Sequence, residues 1–331
     1  MKILIAFGTR PEWIKIKPLF NAFEKSGITY NSLFTGQHVD LIQENEFDYE
    51  ISIPEDNHNR LNEIIANILV SDVEWEDFDY VLVQGDTASA YAVALAAYNR
   101  KVKVIHLEAG LRSYDLDNPF PAEAYRQMIS RIATVNLCPT SENSKGLKEE
   151  KVSGSITTVG NTVLDNLLNV NAYYGETVLV TMHRRENHDS LPEWFQEISK
   201  LAEQHRTLQF KIPLHPNPRV QECRQYLKNI QVLEPLSYDQ MIKEIANCKL
   251  IISDSGGIQE EASFLNKKVI VCRKTTERKE SIGVHSFMCP TPSDLNKVFN
   301  DLVYDYQVDA ECPYGDGKAS ENVVKSLKFF N

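Results

Sequence analysis

Residues 250–261 read Leu-Ile-Ile-Ser-Asp-Ser-Gly-Gly-Ile-Gln-Glu-Glu, an apolar run that ends at a polar turn with two glycines. The run Leu250–Ser253 is typical of a buried strand, and the residues from about Ile258 onward are typical of a helix. Adjacent glycines let the backbone approach a ligand closely, and a helix N-terminus offers free amides and a positive dipole end to phosphate. The turn is therefore either an anion-binding site or an ordinary strand-to-helix connection capped by Ser255.

The same strand–turn–helix unit recurs along the chain. The predicted strands are Lys2–Phe7, Tyr80–Val83, Val102–Leu107, Thr134–Leu137 and Ile156–Val159, then Thr177–Thr181, Leu208–Pro213, Ile230–Leu233, Leu250–Ser253 and Lys268–Val271. The predicted helices include Glu12–Lys25, Leu61–Val70 and Ala88–Asn99. The segment Asn169–Gly175 interrupts this series. Because such alternation is typical of parallel sheets, we predict an α/β fold with two Rossmann-like domains, residues 1–168 and 169–317.

Composition excludes several classes of protein. The chain has 331 residues, and 46 acidic against 35 basic side chains give a net charge of −11, so its overall field does not favour nucleic acid. The longest unbroken apolar run, Ala90–Tyr98, is too short to span a bilayer. Six cysteines without a C-x-x-C pair predict reduced thiols, a cytoplasmic protein and no structural zinc. Neither G-x-G-x-x-G nor the Walker A pattern occurs, which disfavours bound NAD and ATPase activity.

Polar, reactive side chains follow the predicted strands at the point where each strand ends. In chain order they are Arg10, Asp86, Glu108, His183 with Arg184, His215, and Ser255 with its two glycines. Ligands of open parallel sheets bind outside the carboxyl ends of the strands. If both sheets point these ends at a shared cleft, the groups converge, which predicts an active site between the domains.

Several of these residues also have a structural interpretation. Arg10 could clamp a phosphate through paired N–H donors or form a surface ion pair. Asp86 and Glu108 could act as a general acid and base, because nearby carboxylates raise one another's pKa. Alternatively, Asp86 could cap the helix that follows it. Glu108 follows an apolar run, so we expect it to need a cationic partner, either Arg112 or Arg126.

The histidines carry the same ambiguity. His183 could contact a pyrophosphate or transfer a proton, although a lone histidine is more often structural. His215 has the same two interpretations, and the evidence for His38 is weaker. Arg278 could reach the same anionic ligand or pair with a neighbouring glutamate. There is no H-E-x-x-H motif and no carboxylate–histidine cluster at metal spacing, so no metal is predicted.

Taken together, these segments resemble the non-hydrolysing UDP-N-acetylglucosamine 2-epimerase family. The matching motifs run in order over nearly the whole chain: Phe7 to Glu12, Thr35 to His38, Gly85 to Thr87, Glu108 to Ser113, Gly160 to Thr162, His183 to Glu186, His215 to Pro218, Asp254 to Ala262, Thr275 to Arg278 and Pro313 to Gly317. A single motif of this kind is weak evidence. The collinear set is strong evidence.

The resemblance implies a glycosyltransferase-B fold with an interdomain cleft. A C-terminal helix at about residues 318–331 would pack back on the first domain, and the protein would be a homodimer. The implied reaction interconverts UDP-GlcNAc and UDP-ManNAc without a cofactor. A base removes the proton at sugar C2 while UDP leaves C1, and UDP then adds back after the proton returns to the opposite face. Such a reaction needs cations for the pyrophosphate and at least two acid/base groups.

The resemblance also implies roles for individual residues. The implied UDP ligands are Arg10, His183, Ser255, Gly256, Gly257, Glu261 and Arg278, with Glu261 on the ribose hydroxyls. The implied acid/base residues are Asp86 and Glu108, to which we add His183. Lys15, Gln37 and His215 match positions linked in some bacterial relatives to an activating second UDP-GlcNAc. Met241 takes a position, often aromatic, where the uracil packs, and His38, Arg112 and Arg184 are further predicted substrate contacts.

One motif departs from the family. Its Pro-Glu-Glu-x-Asn-Arg sequence reads Pro-Ala-Glu-Ala-Tyr-Arg over residues 121–126, so the first glutamate, regarded as catalytic in the family, is Ala122. Glu123 could replace it, the substrate could differ, or the chain could be an inactivated variant. We favour the last two, because adjacent helix positions face about 100° apart. The alternatives are an epimerase of a related UDP-N-acetylated sugar (a diacetamido-uronate or deoxyhexose) or a UDP-sugar-binding protein without catalysis. A glycosyltransferase of the same fold is the enzyme runner-up, and it would need an acceptor.

Overall fold

The computed structural model describes residues 1–38, 47–54 and 59–330. Strands and helices alternate throughout, and every strand pairing is parallel, which confirms the predicted α/β class with two parallel sheets. The chain forms two compact units, one of Met1–Asn166 with Gly315–Asn331 and one of Leu167–Tyr314. Among the described residues, every helix is too short or too polar to cross a membrane.

Unit 1 is built on a sheet of seven strands in the order β3-β2-β1-β4-β5-β6-β7. The strands are β1 Lys2–Phe7, β2 Thr29–Phe34, β3 Tyr49–Glu50, β4 Tyr80–Gln84, β5 Lys103–Leu107, β6 Val135–Cys138 and β7 Ser155–Thr158. The helices are α1 Arg10–Ser26, α2 Arg60–Leu69, α3 Ala88–Asn99, α4 Ala122–Ile132 and α5 Ser141–Glu149, with α11 Ala319–Leu327 from the end of the chain. Apolar side chains from both faces of the sheet form the core of this unit.

The helix α11 belongs to unit 1. The Asp165 carboxylate accepts hydrogen bonds from the Ala319 and Ser320 amides, at 2.9 and 2.7 Å, and so satisfies two donors at the start of this helix. Val323 and Leu327 are fully buried in the apolar cluster that also contains β1 and α1. The end of the chain therefore completes the core of the unit with which the chain begins.

Unit 2 is built on a sheet of six strands in the order β10-β9-β8-β11-β12-β13. The strands are β8 Thr177–Thr181, β9 Gln209–Pro213, β10 Gln231–Leu233, β11 Leu250–Ser253, β12 Val269–Val271 and β13 Ser286–Met288. The helices are α6 Leu191–Gln204, α7 Pro218–Glu222, α8 Tyr238–Asn247, α9 Gly256–Phe264 and α10 Leu295–Val303. Since β8 and β11 lie at the centre, the loops that follow them leave the same edge of the sheet side by side.

Candidate functional site

A buried carboxylate joins two loops at the carboxyl edge of the sheet in unit 1. Glu12, only 1% exposed, accepts hydrogen bonds from the Gly8 and Thr9 amides at 3.0 and 2.8 Å. It also accepts from the Thr87 hydroxyl at 2.7 Å, and Thr87 caps α3 through the Ala90 amide. Burial raises the pKa of Glu12, while hydrogen bonds from Thr87 and Thr9 act in the opposite direction. Glu12 thus fixes the loop after β1 against the loop after β4.

Three predicted ligand residues lie around the first turn of α1. The Arg10 amide donates to His38 Nδ1 at 3.5 Å, and the His38 amide donates to the Gly8 carbonyl at 2.8 Å. Gln37 Oε1 accepts from the Ser89 hydroxyl at 2.8 Å. The loop after β2 therefore brings His38 and Gln37 close to the loop that carries Arg10, as expected for neighbouring parallel strands.

Glu108 is held in an uncommon backbone conformation at the end of β5. Its φ is +64°, in the left-handed region that residues other than glycine seldom adopt and that is enriched at functional sites. The carboxylate forms an ion pair with Lys15 and accepts from Gln84 Nε2 at 2.9 Å. The Glu108 side chain is 8% exposed and that of Lys15 is 11% exposed, so the pair is largely screened from water.

Asp86 projects from the neighbouring loop, after β4. Its carboxylate pairs with Arg126, whose side chain is 4% exposed, while the Asp86 side chain remains 26% exposed. Thr87, rather than Asp86, is the N-cap of α3, so the capping alternative for Asp86 is wrong. Asp86 is therefore an ion-paired, partly accessible carboxylate on a turn fixed by Glu12 and Thr87.

Two residues predicted in unit 1 are engaged within the scaffold instead. Arg112 binds Glu150 through Nε and Nη2, at 2.9 and 3.1 Å, so Glu108 is not its partner. Glu123 is fully buried and accepts from the Ser113 and Tyr114 amides at 2.9 and 3.1 Å. These contacts use both side chains to hold the loop between β5 and α4, and their placement does not favour substrate contact by Arg112 or catalysis by Glu123.

In unit 2 a second buried carboxylate shapes the loop after β8. Asp254 is fully buried and accepts from the amides of His183 and Arg184, at 3.1 and 3.0 Å. It also accepts from Asn187 Nδ2 at 3.0 Å. Because the next residue is Ser255, Asp254 fixes the loop after β8 against the turn that begins α9.

The two predicted histidines lie face to face. The rings of His183 and His215 stack with their centroids 5.1 Å apart and their planes 10° apart. Burial lowers the pKa of both rings, whereas the nearby Asp254 carboxylate raises it. The net direction favours neutral imidazoles. His215 is held in place because its Nδ1 accepts from the Asn217 amide at 3.1 Å.

The first turn of α9 lies against an arginine. A Cβ added to Gly256 would come within 2.5 Å of Arg278 Nη1, so only glycine allows this approach, whereas the space beside Gly257 is open. Arg278 pairs with Glu277 and, at 2.7 Å, with Glu260. The Ser255 side chain makes no capping hydrogen bond to the helix. The turn thus presents a helix N-terminus next to a guanidinium, which suits an anion.

Arg184 stands out among the cations of unit 2. Within residues 1–38, 47–54 and 59–330, its side chain makes no ion pair and no hydrogen bond. Arg273, by contrast, pairs with Glu186 at 2.6 Å and with Glu277 at 3.0 Å. Burial, followed by the charge of Arg273, lowers the pKa of Arg184. We call Arg184, Arg273 and Arg278 the arginine cluster, and an anionic ligand would offset its repulsion.

The remaining predicted ligands lie on two helices that pack together. Glu261 is 7% exposed on α9, and Met241 is half-buried on the neighbouring α8. Within the described ranges, the His, Cys, Asp and Glu side chains form no group of three that could hold a metal ion.

Sequence reasoning assigned no role to the residues that hold this site together. Glu12, Gln84, Asp254 and Arg273 all position loops or charged groups, and each is at most 3% exposed. The signal that could have found Asp254 and Arg273 is a charged residue one or two positions after a buried apolar strand. Such a residue needs partners when it is buried.

Comparison with known proteins identifies the family that the chain matches. The family model of UDP-N-acetylglucosamine 2-epimerase matches residues 21–328. In an alignment 369 positions long, the chain is 35% identical to a UDP-N-acetylglucosamine 2-epimerase of Neisseria meningitidis, and the alignment covers 99% of each protein. In an alignment 375 positions long, it is 36% identical to the protein of that name from Campylobacter jejuni, and the alignment covers 98% of this chain and 97% of the relative.

Solved structures are similar over the same length. The crystal structure of UDP-GlcNAc 2-epimerase from Neisseria meningitidis bound to UDP-GlcNAc superposes with a TM-score of 0.90 at 34% identity, covering 99% of this chain and 100% of that one. The S. aureus MnaA–UDP structure gives a TM-score of 0.89 at 32% identity, covering 99% and 96%.

Proposed function

Because the chain belongs to the UDP-N-acetylglucosamine 2-epimerase family, we propose that it is an isomerase that interconverts UDP-GlcNAc and UDP-ManNAc. A base takes the C2 proton as the C1–O bond to UDP breaks, which yields a glycal-type intermediate and UDP. UDP then adds back at C1 and a proton returns to the opposite face of C2. The sum is an isomerisation, and no electron donor or acceptor is consumed.

The arginine cluster carries the proposal. Arg184 is half-buried and has no ion partner in the described part of the chain, and it lies beside two further arginines and the first turn of α9, an arrangement that suits an anion. A diphosphate supplies two negative groups at close spacing, and fixed donors stabilise the charge that UDP gains as it leaves C1. We assign His183, Ser255, Gly256 and Gly257 to the same diphosphate, Glu261 to the ribose and Met241 to the uracil.

Unit 1 supplies the groups for proton transfer. Moving the C2 proton between two faces needs two acid/base groups. We assign these roles to Asp86, which is partly accessible, and to Glu108, which Lys15 and Gln84 hold in a fixed orientation. Arg10, at the first turn of α1, is assigned to the same substrate. Fixed orientation matters because proton transfer depends steeply on geometry.

We assign Arg112 and Glu123 to the scaffold. Their contacts with Glu150 and with the loop amides would be lost if either side chain turned toward a substrate. The glutamate that the family has at position 122 is then not replaced. Ala122 begins α4, and the neighbouring Glu123 is fully buried. The proposal therefore includes either slower turnover or a related UDP-N-acetylated sugar as the better substrate.

Incubation with UDP-GlcNAc in D₂O tests the proposal. We expect deuterium at C2 together with a manno product, both measured by proton and carbon NMR. Free sugar with UDP would indicate hydrolysis, and bound but unchanged substrate would indicate a binding protein or a transferase without its acceptor. Either result overturns the epimerase proposal for UDP-GlcNAc. The same assay with UDP-diacetamido-uronate and UDP-deoxyhexose substrates identifies a different sugar.

The proposal extends to regulation. Lys15, Gln37 and His215 match positions linked to an activating UDP-GlcNAc, and Lys15 is bound to the proposed acid/base residue Glu108. A ligand that engages Lys15 would therefore act directly on Glu108. We expect a lag when the reaction starts from pure UDP-ManNAc, removed by added UDP-GlcNAc. A hyperbolic rate curve without a lag would exclude this regulation.

We also propose a cytoplasmic homodimer that makes an activated sugar for surface polysaccharide. Tyr98 on α3 and Met128 on α4 are large apolar side chains with 54% and 39% exposure on two helices that contact each other, and a second copy would cover them. Light scattering during size-exclusion chromatography measures the mass, and a monomer at micromolar concentration would contradict this part.

A further inference from the structure

A histidine buried in β5 holds the turn that carries Asp86. His106 is fully buried, and its Nε2 lies 2.8 Å from the Gly85 carbonyl oxygen. Because a carbonyl oxygen can only accept, Nε2 carries the proton and donates it. The other ring nitrogen, Nδ1, is then left as an acceptor.

Gly85 is held by hydrogen bonds at both its N–H and its carbonyl. Its N–H donates to the Leu107 carbonyl at 2.9 Å, and its own carbonyl accepts from His106. Gly85 has a φ of +71°, the left-handed conformation that turns the chain toward Asp86. His106 and Leu107 lie directly before Glu108. The end of β5 therefore sets the position of the Asp86 turn relative to Glu108.

A second buried polar side chain lies beside His106 on the neighbouring strand. His106 and Asn136 are register partners on β5 and β6, which places their Cα atoms about 4.8 Å apart. Asn136 is fully buried, and neither its Oδ1 nor its Nδ2 has a hydrogen-bond partner among the described residues. His106 Nδ1 is likewise without one in that part of the chain. Buried polar atoms that lack protein partners are characteristic sites of internal water.

We propose that His106 is a positioning residue for Asp86, and that a buried water links its Nδ1 to the Asn136 side chain and fixes the ring. The Asn136 amide donates to the water, and the water donates to Nδ1. A ring held at both nitrogens keeps one tautomer and one orientation. The first part rests on the proposed acid/base role of Asp86. The water does not depend on that role.

Replacement of His106 by leucine removes both ring hydrogen bonds at similar volume. We expect kcat to fall about 10-fold or more with KM within about 2-fold, because a misplaced carboxylate slows proton transfer and leaves UDP binding intact. With substrate deuterated at C2, the isotope effect on kcat should rise as proton transfer becomes rate-limiting. His106→Gln keeps an N–H donor toward Gly85 and should recover most of the rate. A role limited to folding would lower the amount of active protein and leave the isotope effect unchanged.

Asn136→Leu tests the water while the bond between His106 and Gly85 remains, and it serves if His106→Leu does not fold. We expect a smaller fall in kcat, of about 3-fold or more, with unchanged UDP affinity by calorimetry. Unchanged kcat and isotope effect in both leucine variants would overturn the positioning role. A high-resolution crystal structure should show one water within hydrogen-bond distance of His106 Nδ1 and Asn136, and an empty or apolar gap there would overturn that part. If the wild-type protein exchanges no C2 proton, the proposed function fails, and the crystal structure still decides the water.

Discussion

Replacement of Arg184 by methionine separates the binding role of this cation from protein stability. The substitution keeps an unbranched apolar side chain and removes the guanidinium. The backbone amide of Arg184 that donates to Asp254 at 3.0 Å remains. In the described part of the chain, the wild-type guanidinium has no ion pair or hydrogen bond to lose, and burial and Arg273 already disfavour its charge. We therefore expect the free energy of unfolding to stay unchanged or to increase.

The same substitution should weaken the binding of UDP. A hydrogen bond between a guanidinium and a phosphate contributes about 1.5–3 kcal/mol. At 1.4 kcal/mol for each factor of ten, this predicts a rise in Kd of roughly 10- to 150-fold. Isothermal titration calorimetry with UDP measures the affinity, and thermal unfolding without UDP measures stability on the same preparation.

Arg273→Met is the matched control. Arg273 is 2% exposed and pairs with Glu186 and Glu277, so its loss removes the cation that Glu186 pairs with, while Glu277 keeps its pair with Arg278. Loss of two ion pairs made by a buried guanidinium is destabilising, and this variant should unfold at a clearly lower temperature than the wild type. The reasoning is refuted if Arg184→Met unfolds below the wild type in the absence of UDP and binds UDP with wild-type affinity.

Three further perturbations test other parts of the molecule. Ala122→Glu should raise epimerisation by about 10²- to 10⁴-fold if the missing carboxylate limits turnover, and an unchanged kcat would exclude that cause. Glu12→Ala removes the acceptor of four donors, three of them buried, and should lower the free energy of unfolding by about 3 kcal/mol or more. Glu12→Gln should recover most of this loss in urea titrations. Burial lowers the pKa of His106 from 6.5 to about 4, so below pH 6.5 the unfolded state binds the proton first and stability falls. The fall in the free energy of unfolding should reach about 3 kcal/mol near pH 4. His106→Gln should lack this fall. Urea midpoints of both proteins, compared at pH 7 and pH 5, measure the difference.

The central strands were predictable because their sequences are continuous apolar runs with abrupt polar ends. Lys2–Phe7, Thr177–Thr181 and Leu250–Ser253 have the bounds that the sequence predicts. Strands buried on both faces in parallel sheets have this composition. The helix of residues 256–264 begins two residues earlier than predicted, since its two glycines form the first turn rather than the connection.

Three strands escaped sequence analysis for the opposite reason. Thr29–Phe34 begins with three partly exposed polar or aromatic residues, and Tyr49–Glu50 and Ser286–Met288 are very short. The last two lie at the edges of their sheets, where one side of the strand has no neighbour. A short, polar edge strand has no apolar periodicity that distinguishes it from a loop.

Sequence analysis identified the loops of the candidate site better than its contacts. Reactive residues placed after strands must meet at one sheet edge, which is a property of topology. The pairing of Glu108 with Lys15, and of Arg112 with Glu150, depends on side-chain directions and on distant segments. A positive φ at Glu108 has no signature in the sequence, because the residue is not glycine.

The helix α11 has a consequence for synthesis on the ribosome. Translation produces the strands of unit 1 first, yet Val323 and Leu327, which seal its apolar interior, emerge only after all of Leu167–Tyr314 has been made. The nascent first unit therefore exposes the apolar surface that α11 covers until the end of the chain is made. The whole sequence of the second unit, by contrast, has been synthesised before α11. A polypeptide released before Ala319 would expose this apolar surface permanently and would be a substrate for chaperones and proteases.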